Sequence, residues 1–135
     1  MKRAILLSIS LLFLGCLFGK AQTAQKETSP SGPDKIEAYY FHFNARCETC
    51  RAVESEAKAD ILSLYPSRAI FKAINLDETS SKAIAEKLKV SGQTLLVVKG
   101  DKQINLTNEG FMYATTNPDK LKKVIKQKVD GLLDL

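Results

Sequence analysis

The alternation of hydrophobic and polar positions predicts seven elements of secondary structure between residues 36 and 133. Residues 36–43 read IEAYYFHF, an almost continuous apolar run that is typical of a strand covered on both faces. Residues 48–64 place apolar side chains three or four positions apart, which predicts a helix with one buried face that ends before Pro66. The residues on this face are Val53, Ala57, Ile61 and Leu64.

The pattern after Pro66 predicts three further strands and two further helices. The first four of these elements are a strand over 68–76, a short helix over 79–89, a strand over 94–99 and a strand over 103–107 that pairs back through a tight turn. We expect the short helix to turn Ala83, Ile84 and Leu88 toward the core. Asn117-Pro118-Asp119 is typical of a helix start. The apolar positions of this last helix are Leu121, Val124, Ile125, Val129 and Leu132.

The order of these elements predicts the fold class. Strands alternating with helices favour an α/β three-layer sandwich, with a small mixed four-stranded sheet between flanking helices. Because strand–helix–strand connections are right-handed, we expect the first two strands to be parallel neighbours. With 135 residues, of which 44% are hydrophobic and 26% charged, the chain has room for one globular domain, expected over residues 36–133.

The N-terminus has the pattern of a secretory signal. Residues 4–18 form an uncharged apolar run preceded by Lys2 and Arg3. The run has 15 residues, which is short for a transmembrane helix. We therefore expect an exported, periplasmic bacterial protein rather than an integral membrane protein.

Two processing routes remain open for this signal. Cleavage after Ala21 would remove a signal peptide over residues 1–21. Alternatively, residues 13–16 (FLGC) resemble a lipoprotein signal, and lipidation of Cys16 would anchor the protein to a membrane surface. Residues 22–35 contain no large apolar side chain and are expected to form a flexible linker.

The net charge gives little reason to expect a nucleic-acid partner. The chain has 20 basic and 15 acidic residues, but Lys2, Arg3 and Lys20 belong to the predicted signal. Subtracting these three leaves 17 basic residues against 15 acidic ones, a net charge of +2. No basic stripe interleaved with aromatic residues is apparent, and nucleic-acid binding is not expected.

Candidate chemistry is concentrated in Cys47-Glu48-Thr49-Cys50, at the predicted junction between the first strand and the first helix. The positive potential of a helix N-terminus favours a thiolate at Cys47, while Cys50 lies one turn further along, within reach of a disulfide. This geometry predicts that Cys47 attacks and Cys50 resolves the mixed disulfide. Arg46 and Arg51 are expected to lower the pKa of Cys47 and Glu48 to raise it, which leaves the direction of electron flow open.

Other functions of the cysteine pair were weighed. Zinc needs four ligands, and His42 is the only histidine, so neither a metal nor another cofactor is expected. Covalent haem attachment needs a histidine where Arg51 stands. A purely structural disulfide remains open, although closing so short a loop removes little entropy from the unfolded chain.

Several segments resemble thioredoxin-like proteins over residues 36–133. They are YYF before the cysteine pair, AINLD over 73–77 and VSGQTL over 90–95. The resemblance implies a thioredoxin-like fold and thiol–disulfide exchange through Cys47 and Cys50 with a protein disulfide or dithiol partner. Gln93 occupies the position of the family's cis proline, next to Thr94, and these two residues are candidates for the substrate groove.

The family's buried aspartate is also replaced, because Phe41 stands at its position. His42 is a candidate to accept protons in its place, or else an ordinary strand residue that bonds a neighbouring loop. The peptide bond between Gly92 and Gln93 is not followed by a proline that would favour the cis form, so a trans bond is expected there.

A narrower resemblance concerns the C-terminal half. The segments NLTNEGF over 105–111, Tyr113-Ala114 and Asn117-Pro118, together with YFH over 40–42, resemble ArsF-type proteins. These are small exported thioredoxin-like chains named as nitrophenyl-compound nitroreductase subunits. This implies an electron relay from a membrane thiol donor to a partner enzyme. The alternative is a non-catalytic adaptor that binds a partner near Gln93 or Phe111. Residues 111–113 are expected to form a packed edge strand or an exposed docking patch.

The two processing routes predict different masses for the exported protein. Cleavage after Ala21 leaves an unmodified chain that starts at Gln22, whereas lipidation leaves an acylated chain that starts at Cys16. Intact-mass spectrometry of protein purified from soluble and membrane fractions distinguishes them. A mass of the uncleaved 135-residue chain would contradict both routes.

Overall fold

The computed structural model describes residues 34–135, and the predicted signal, Cys16 and most of the predicted linker lie outside this range. The elements are β1 (Ile36–His42), α1 (Glu48–Leu64), β2 (Ala69–Asn75), a 3₁₀ turn (Thr79–Ser81), α2 (Lys82–Lys87), β3 (Thr94–Lys99), β4 (Lys102–Asn105), α3 (Thr107–Tyr113) and α4 (Pro118–Leu133). None of the helices in this range has the length and apolar character that crossing a membrane requires.

The four strands form one mixed sheet in the order β2-β1-β3-β4. Strand β1 pairs in parallel with β2, where Tyr40 lies opposite Ala73, and antiparallel with β3, where Tyr40 lies opposite Leu95. Strand β4 pairs antiparallel with β3. The predicted mixed sheet and the parallel pairing of the first two strands are therefore confirmed.

Alternate residues of β1 enter two separate hydrophobic cores. Ile36, Ala38 and Tyr40 are fully buried in the larger core, which they share with side chains of α1 and α4. Tyr39 and Phe41 point to the opposite face and pack in a smaller core with residues of α2. Helices thus cover both faces of the sheet, and the predicted three-layer sandwich is confirmed.

The short helix after β2 is rotated relative to the prediction. Ala85 and Leu88 are buried and Ile84 is half-buried, whereas Ala83 is exposed, so the prediction that Ala83 faces the core is wrong. The helix follows a 3₁₀ turn, and Ile84, Ala85 and Leu88 lie three or four positions apart or adjacent on one face, from which Ala83 points away. Lys89 then adopts a left-handed backbone with φ of 57°, which ends the helix.

The predicted edge strand over 111–113 is also wrong, because these residues lie in helix α3. The side chain of Asn105 accepts a hydrogen bond from the Thr107 amide at 2.9 Å, which turns the chain away from the sheet. The Thr107 hydroxyl in turn accepts a bond from the Leu95 amide at 3.0 Å. Phe111 packs against the larger core, while Met112 is 57% exposed.

Helix α4 begins where the sequence predicts. The Asn117 side chain accepts a hydrogen bond from the Lys120 amide at 3.0 Å, and Pro118 is the first helical residue. Of the five predicted inward positions, Leu121, Ile125, Val129 and Leu132 are buried and Val124 is half-buried.

Helix α3 approaches α1 at Gly110, where a substitution tests the packing. A Cβ atom there would lie 2.9 Å from Cγ1 of Val53, so Gly110→Ala must displace that side chain. We expect a loss of stability, because overpacking a core costs about 1–3 kcal/mol. The better helix propensity of alanine offsets at most about 1 kcal/mol of it.

Gly131→Ala is the matched control, because a Cβ atom there meets nothing within 4 Å and the residue lies in α4. This variant should be as stable as the wild type or more stable. Urea unfolding measures both effects. A Gly110→Ala protein that is as stable as the Gly131→Ala protein would refute the close contact.

Candidate functional site

The candidate site lies where the central strand β1 ends and helix α1 begins. The loop between them is held against the end of β2, because the Asn44 amide donates to Oδ2 of Asp77 at 2.6 Å. The side-chain amide of Asn75 donates to Oδ1 of Asn44 at 2.8 Å. These two bonds fix the direction in which the chain enters the helix, at the strand-to-helix junction that the sequence predicts.

Cys47 and Cys50 form a disulfide at the first turn of α1, with Cα atoms 5.0 Å apart. Cys47 is the N-cap residue, and its Sγ accepts a hydrogen bond from the Cys50 amide at 3.0 Å. The Sγ of Cys50 accepts one from the Cys47 amide at 3.2 Å. The two sulfurs therefore satisfy amides that the helix would otherwise leave unpaired. After reduction, the Cys50 amide and the helix N-terminus would stabilise a thiolate at Cys47.

The two cysteines differ in exposure. Cys47 is exposed to solvent, whereas Cys50 retains only 4% of its accessible surface. An incoming molecule can therefore reach the Cys47 side of the disulfide while Cys50 stays shielded beneath the first turn. The structure places the two residues as their spacing on a helix predicts.

Gln93 lies beside the buried sulfur, immediately before β3. Its side-chain Oε1 is 3.8 Å from Sγ of Cys50. Within the disulfide this sulfur carries no hydrogen, but the thiol formed by reduction would be within reach to donate a weak bond to the amide oxygen. Thr94 is half-buried and donates to the Gly92 carbonyl at 2.9 Å. No peptide bond within residues 34–135 is cis, in agreement with the expected trans bond between Gly92 and Gln93.

A polar cleft of about 460 Å³ adjoins Gln93 and Thr94 on the side of β4. Gln103 and Asn105 of β4 also line it. Both predicted groove residues thus border an open depression, and Gln93 also lies beside the disulfide.

His42 is the last residue of β1 and is half-buried. Its Nδ1 lies 3.0 Å from the carbonyl oxygen of Phe43, and its ring stacks on Tyr40 with centroids 6.1 Å apart. These contacts match the interpretation of His42 as a strand residue bonded to the adjoining loop. They do not direct its ring nitrogens to either sulfur.

The charged residues around the motif fall into two groups. Glu48 and Arg51 are exposed, so water screens their effect on the sulfurs. Arg46 instead folds back over Tyr40, with Cζ 5.9 Å from the ring centroid, and forms an ion pair with Glu54. Burial raises the pKa of the Tyr40 hydroxyl, and the positive charge of Arg46 acts in the opposite direction.

Sequence reasoning missed Glu54, Asn44 and Asp77. Glu54 follows Cys50 by four residues, so helical spacing alone places it one turn along the same face, and this signal was available. Asn44 and Asp77 are 33 positions apart and meet only because β1 and β2 end side by side. Among residues 34–135, no three side chains of His, Cys, Asp or Glu are arranged to hold a metal ion.

Comparison with known proteins supports the fold. Trxlp from Edwardsiella tarda EIB202 is 17% identical with a TM-score of 0.50, over 72% of this chain and 87% of that one. Thioredoxin f2 from Chlamydomonas reinhardtii is 17% identical over 74% of this chain and 84% of its own, with a TM-score of 0.46. Deadhead (Thioredoxin-1) from Drosophila melanogaster is 22% identical over 70% and 81%, also with a TM-score of 0.46.

No protein-family model matches the sequence, and no curated protein matches it. The sheet order, the flanking helices and the likeness to Trxlp nevertheless define the class. The chain has an α/β thioredoxin-like fold, with a Cys-x-x-C disulfide at the start of its first helix.

The difference in exposure predicts which cysteine a reagent modifies. After reduction with dithiothreitol, a limiting amount of iodoacetamide should label Cys47 in preference to Cys50, because Cys47 is exposed and lies at the helix N-terminus. Tandem mass spectrometry of the tryptic peptide over 47–51 locates the label. Equal labelling of the two cysteines in the folded protein would contradict the arrangement, and urea-unfolded protein provides the reference in which the bias disappears.

Proposed function

We propose that this protein carries out thiol–disulfide exchange with a partner protein. The observation that carries the proposal is the Cys47–Cys50 disulfide, with one exposed and one buried cysteine at a helix N-terminus. Attack on a disulfide requires an exposed cysteine whose thiolate is stabilised by its surroundings. The proposed activity is that of a thiol–disulfide oxidoreductase or electron-relay protein.

The exchange proceeds in two balanced steps. In the first, the Cys47 thiolate attacks one sulfur of the partner disulfide, a mixed disulfide forms, and the other partner sulfur leaves as a thiolate. In the second, the Cys50 thiol loses its proton and its sulfur attacks Sγ of Cys47. The Cys47–Cys50 disulfide forms, the partner's second thiolate is released, and two electrons have passed to the partner. With a reducing partner the same steps run in reverse.

Export and the identity of the partner are parts of the proposal that rest on sequence patterns. The apolar run over residues 4–18 supports a periplasmic location, either soluble or anchored through Cys16. The resemblance to ArsF-type proteins favours a relay from a membrane thiol donor to a partner enzyme. Neither metal nor organic cofactor takes part in this scheme.

A non-catalytic adaptor is the second candidate, favoured by Gln93 at the position of the family's proline. An amide side chain next to Cys50 changes the surface on which a substrate disulfide would lie. In this case a partner would bind near Gln93 while the disulfide stays closed.

Replacement of the shielded cysteine distinguishes the two functions. In cells that express the full chain, Cys50→Ala should accumulate mixed disulfides through Cys47, because the resolving thiol is absent. Dithiothreitol-sensitive bands on non-reducing gels of soluble and membrane fractions measure this. Detection in the membrane fraction would agree with a membrane thiol donor.

Cys47→Ala is the matched control and should give no bands through the motif, since Cys50, the motif cysteine that remains, is buried. The double variant Cys47→Ala/Cys50→Ala identifies any band that arises from Cys16. Absence of adducts in the Cys50→Ala protein would reject exchange and leave the adaptor.

A further inference from the structure

An ion pair between Arg46 and Glu54 spans the Cys-x-x-C motif. Arg46 directly precedes Cys47, and Glu54 lies one turn of α1 beyond Cys50. Nη2 of Arg46 contacts Oε2 of Glu54. The pair therefore joins the loop before the two sulfurs to the helix after them.

The contacting atoms of this pair are shielded from water. The side chains of Arg46 and Glu54 keep 22% and 25% of their surface, but the paired atoms themselves contact no solvent. Nε of Arg46 and the Tyr40 hydroxyl are shielded as well, and neither has a hydrogen-bond partner among the residues that the structure describes. The guanidinium is thus held between a carboxylate and an aromatic ring, where charges interact more strongly than in water.

Reduction of the disulfide changes the charge balance at this point. In the disulfide both sulfurs are neutral, and the charges of Arg46 and Glu54 compensate each other. A thiolate at Cys47 would add a second anion next to the residue that carries the guanidinium. A free guanidinium at this position would stabilise that thiolate, but Glu54 already occupies it.

We propose that Glu54 is a positioning residue that withholds Arg46 from the Cys47 thiolate and thereby limits the reactivity of that thiolate. The inference rests on the proposed exchange function and adds the group that tunes it. It also changes the role of Arg46, since its effect on Cys47 depends on the carboxylate with which it pairs.

Other charged groups near the motif are less suited to this role. Glu48 and Arg51 on α1 are exposed and have opposite signs. His42 on β1 faces the Phe43 carbonyl, and Asp77 after β2 bonds the Asn44 amide. Arg46 and Glu54 differ from all four because their paired atoms are removed from water.

The test measures the pH dependence of Cys47 alkylation by iodoacetamide in the reduced full chain that carries Cys16→Ser and Cys50→Ala, where Cys47 is the only thiol. Glu54→Gln should release Arg46 and lower the midpoint, which is the pH at which the alkylation rate is half of its maximum. Below the midpoint the rate should rise about threefold, the change in thiolate fraction for roughly half a pKa unit. Arg46→Gln leaves the carboxylate unpaired and should raise the midpoint by a smaller amount, because the paired guanidinium acts only weakly on Cys47.

Two variants serve as controls. Glu56→Gln changes the same residue type on the same helix, roughly 200° around its axis from Glu54, and should leave the midpoint in place. Arg46→Gln/Glu54→Gln removes both charges, leaves no unpaired buried charge, and should return the midpoint to that of the parent. Circular dichroism verifies that each protein is folded.

Arg46→Gln should raise the midpoint more in the Glu54→Gln protein, where the guanidinium is released, than in the parent, where it is paired. Equal shifts in the two backgrounds would mean that the two charges act on Cys47 independently, and that result overturns the proposal. Shifts of the two single variants in one direction, or no shift, also overturn it. If Glu54→Gln alone fails to fold, Glu54→Asp replaces it, because the shorter side chain keeps the charge but loosens its hold on Arg46, and this variant must lower the midpoint. The midpoint is measured without a partner, so a failure of partner capture by Cys50→Ala refutes exchange independently.

Discussion

The exchange of hydrogen bonds between two sulfurs and two amides at the first turn of α1 is the constraint on which the candidate site depends. Each cysteine accepts a bond from the amide of the other, so disulfide and helix start are one unit. The orientation of this unit is fixed because β1 is buried on both faces, which fixes where the strand ends and the loop to α1 begins. A strand free to shift would leave the exposure of Cys47 and the burial of Cys50 undefined.

Charge at the site follows from packing more than from sequence proximity. Arg46 is adjacent to Cys47 along the chain, yet its guanidinium engages Glu54 over the ring of Tyr40. Glu48 and Arg51 are also close in sequence, but they extend into water, where their fields are screened. A partly buried pair with compensating charges and two solvated single charges have different effects on a nearby thiolate.

The fold positions the candidate site, and a few residues on it determine the local chemical environment of the disulfide. The strands have the order β2-β1-β3-β4 of a thioredoxin-like sheet. After β4 the chain continues into α3, where Gly110 lies close to Val53 and Leu95. Gln93 faces the buried sulfur where thioredoxin-like proteins carry proline. Its amide adds a polar group beside Cys50, and no peptide bond within residues 34–135 is cis.

The sequence by itself determined the four strands, the helices α1, α2 and α4, and the position of the cysteine pair. Periodicity places α1 and α4 correctly because burial of one helix face repeats every three or four residues, and Asn117 with Pro118 marks a helix start locally. Tertiary structure decided that the chain after Asn105 continues as α3, where the Thr107 hydroxyl accepts a bond from the Leu95 amide of β3. It also brought Asn44 to Asp77 and turned Arg46 toward Glu54. Local patterns record which face of an element is apolar, whereas the partners of polar side chains depend on which distant segments the fold brings within hydrogen-bond distance.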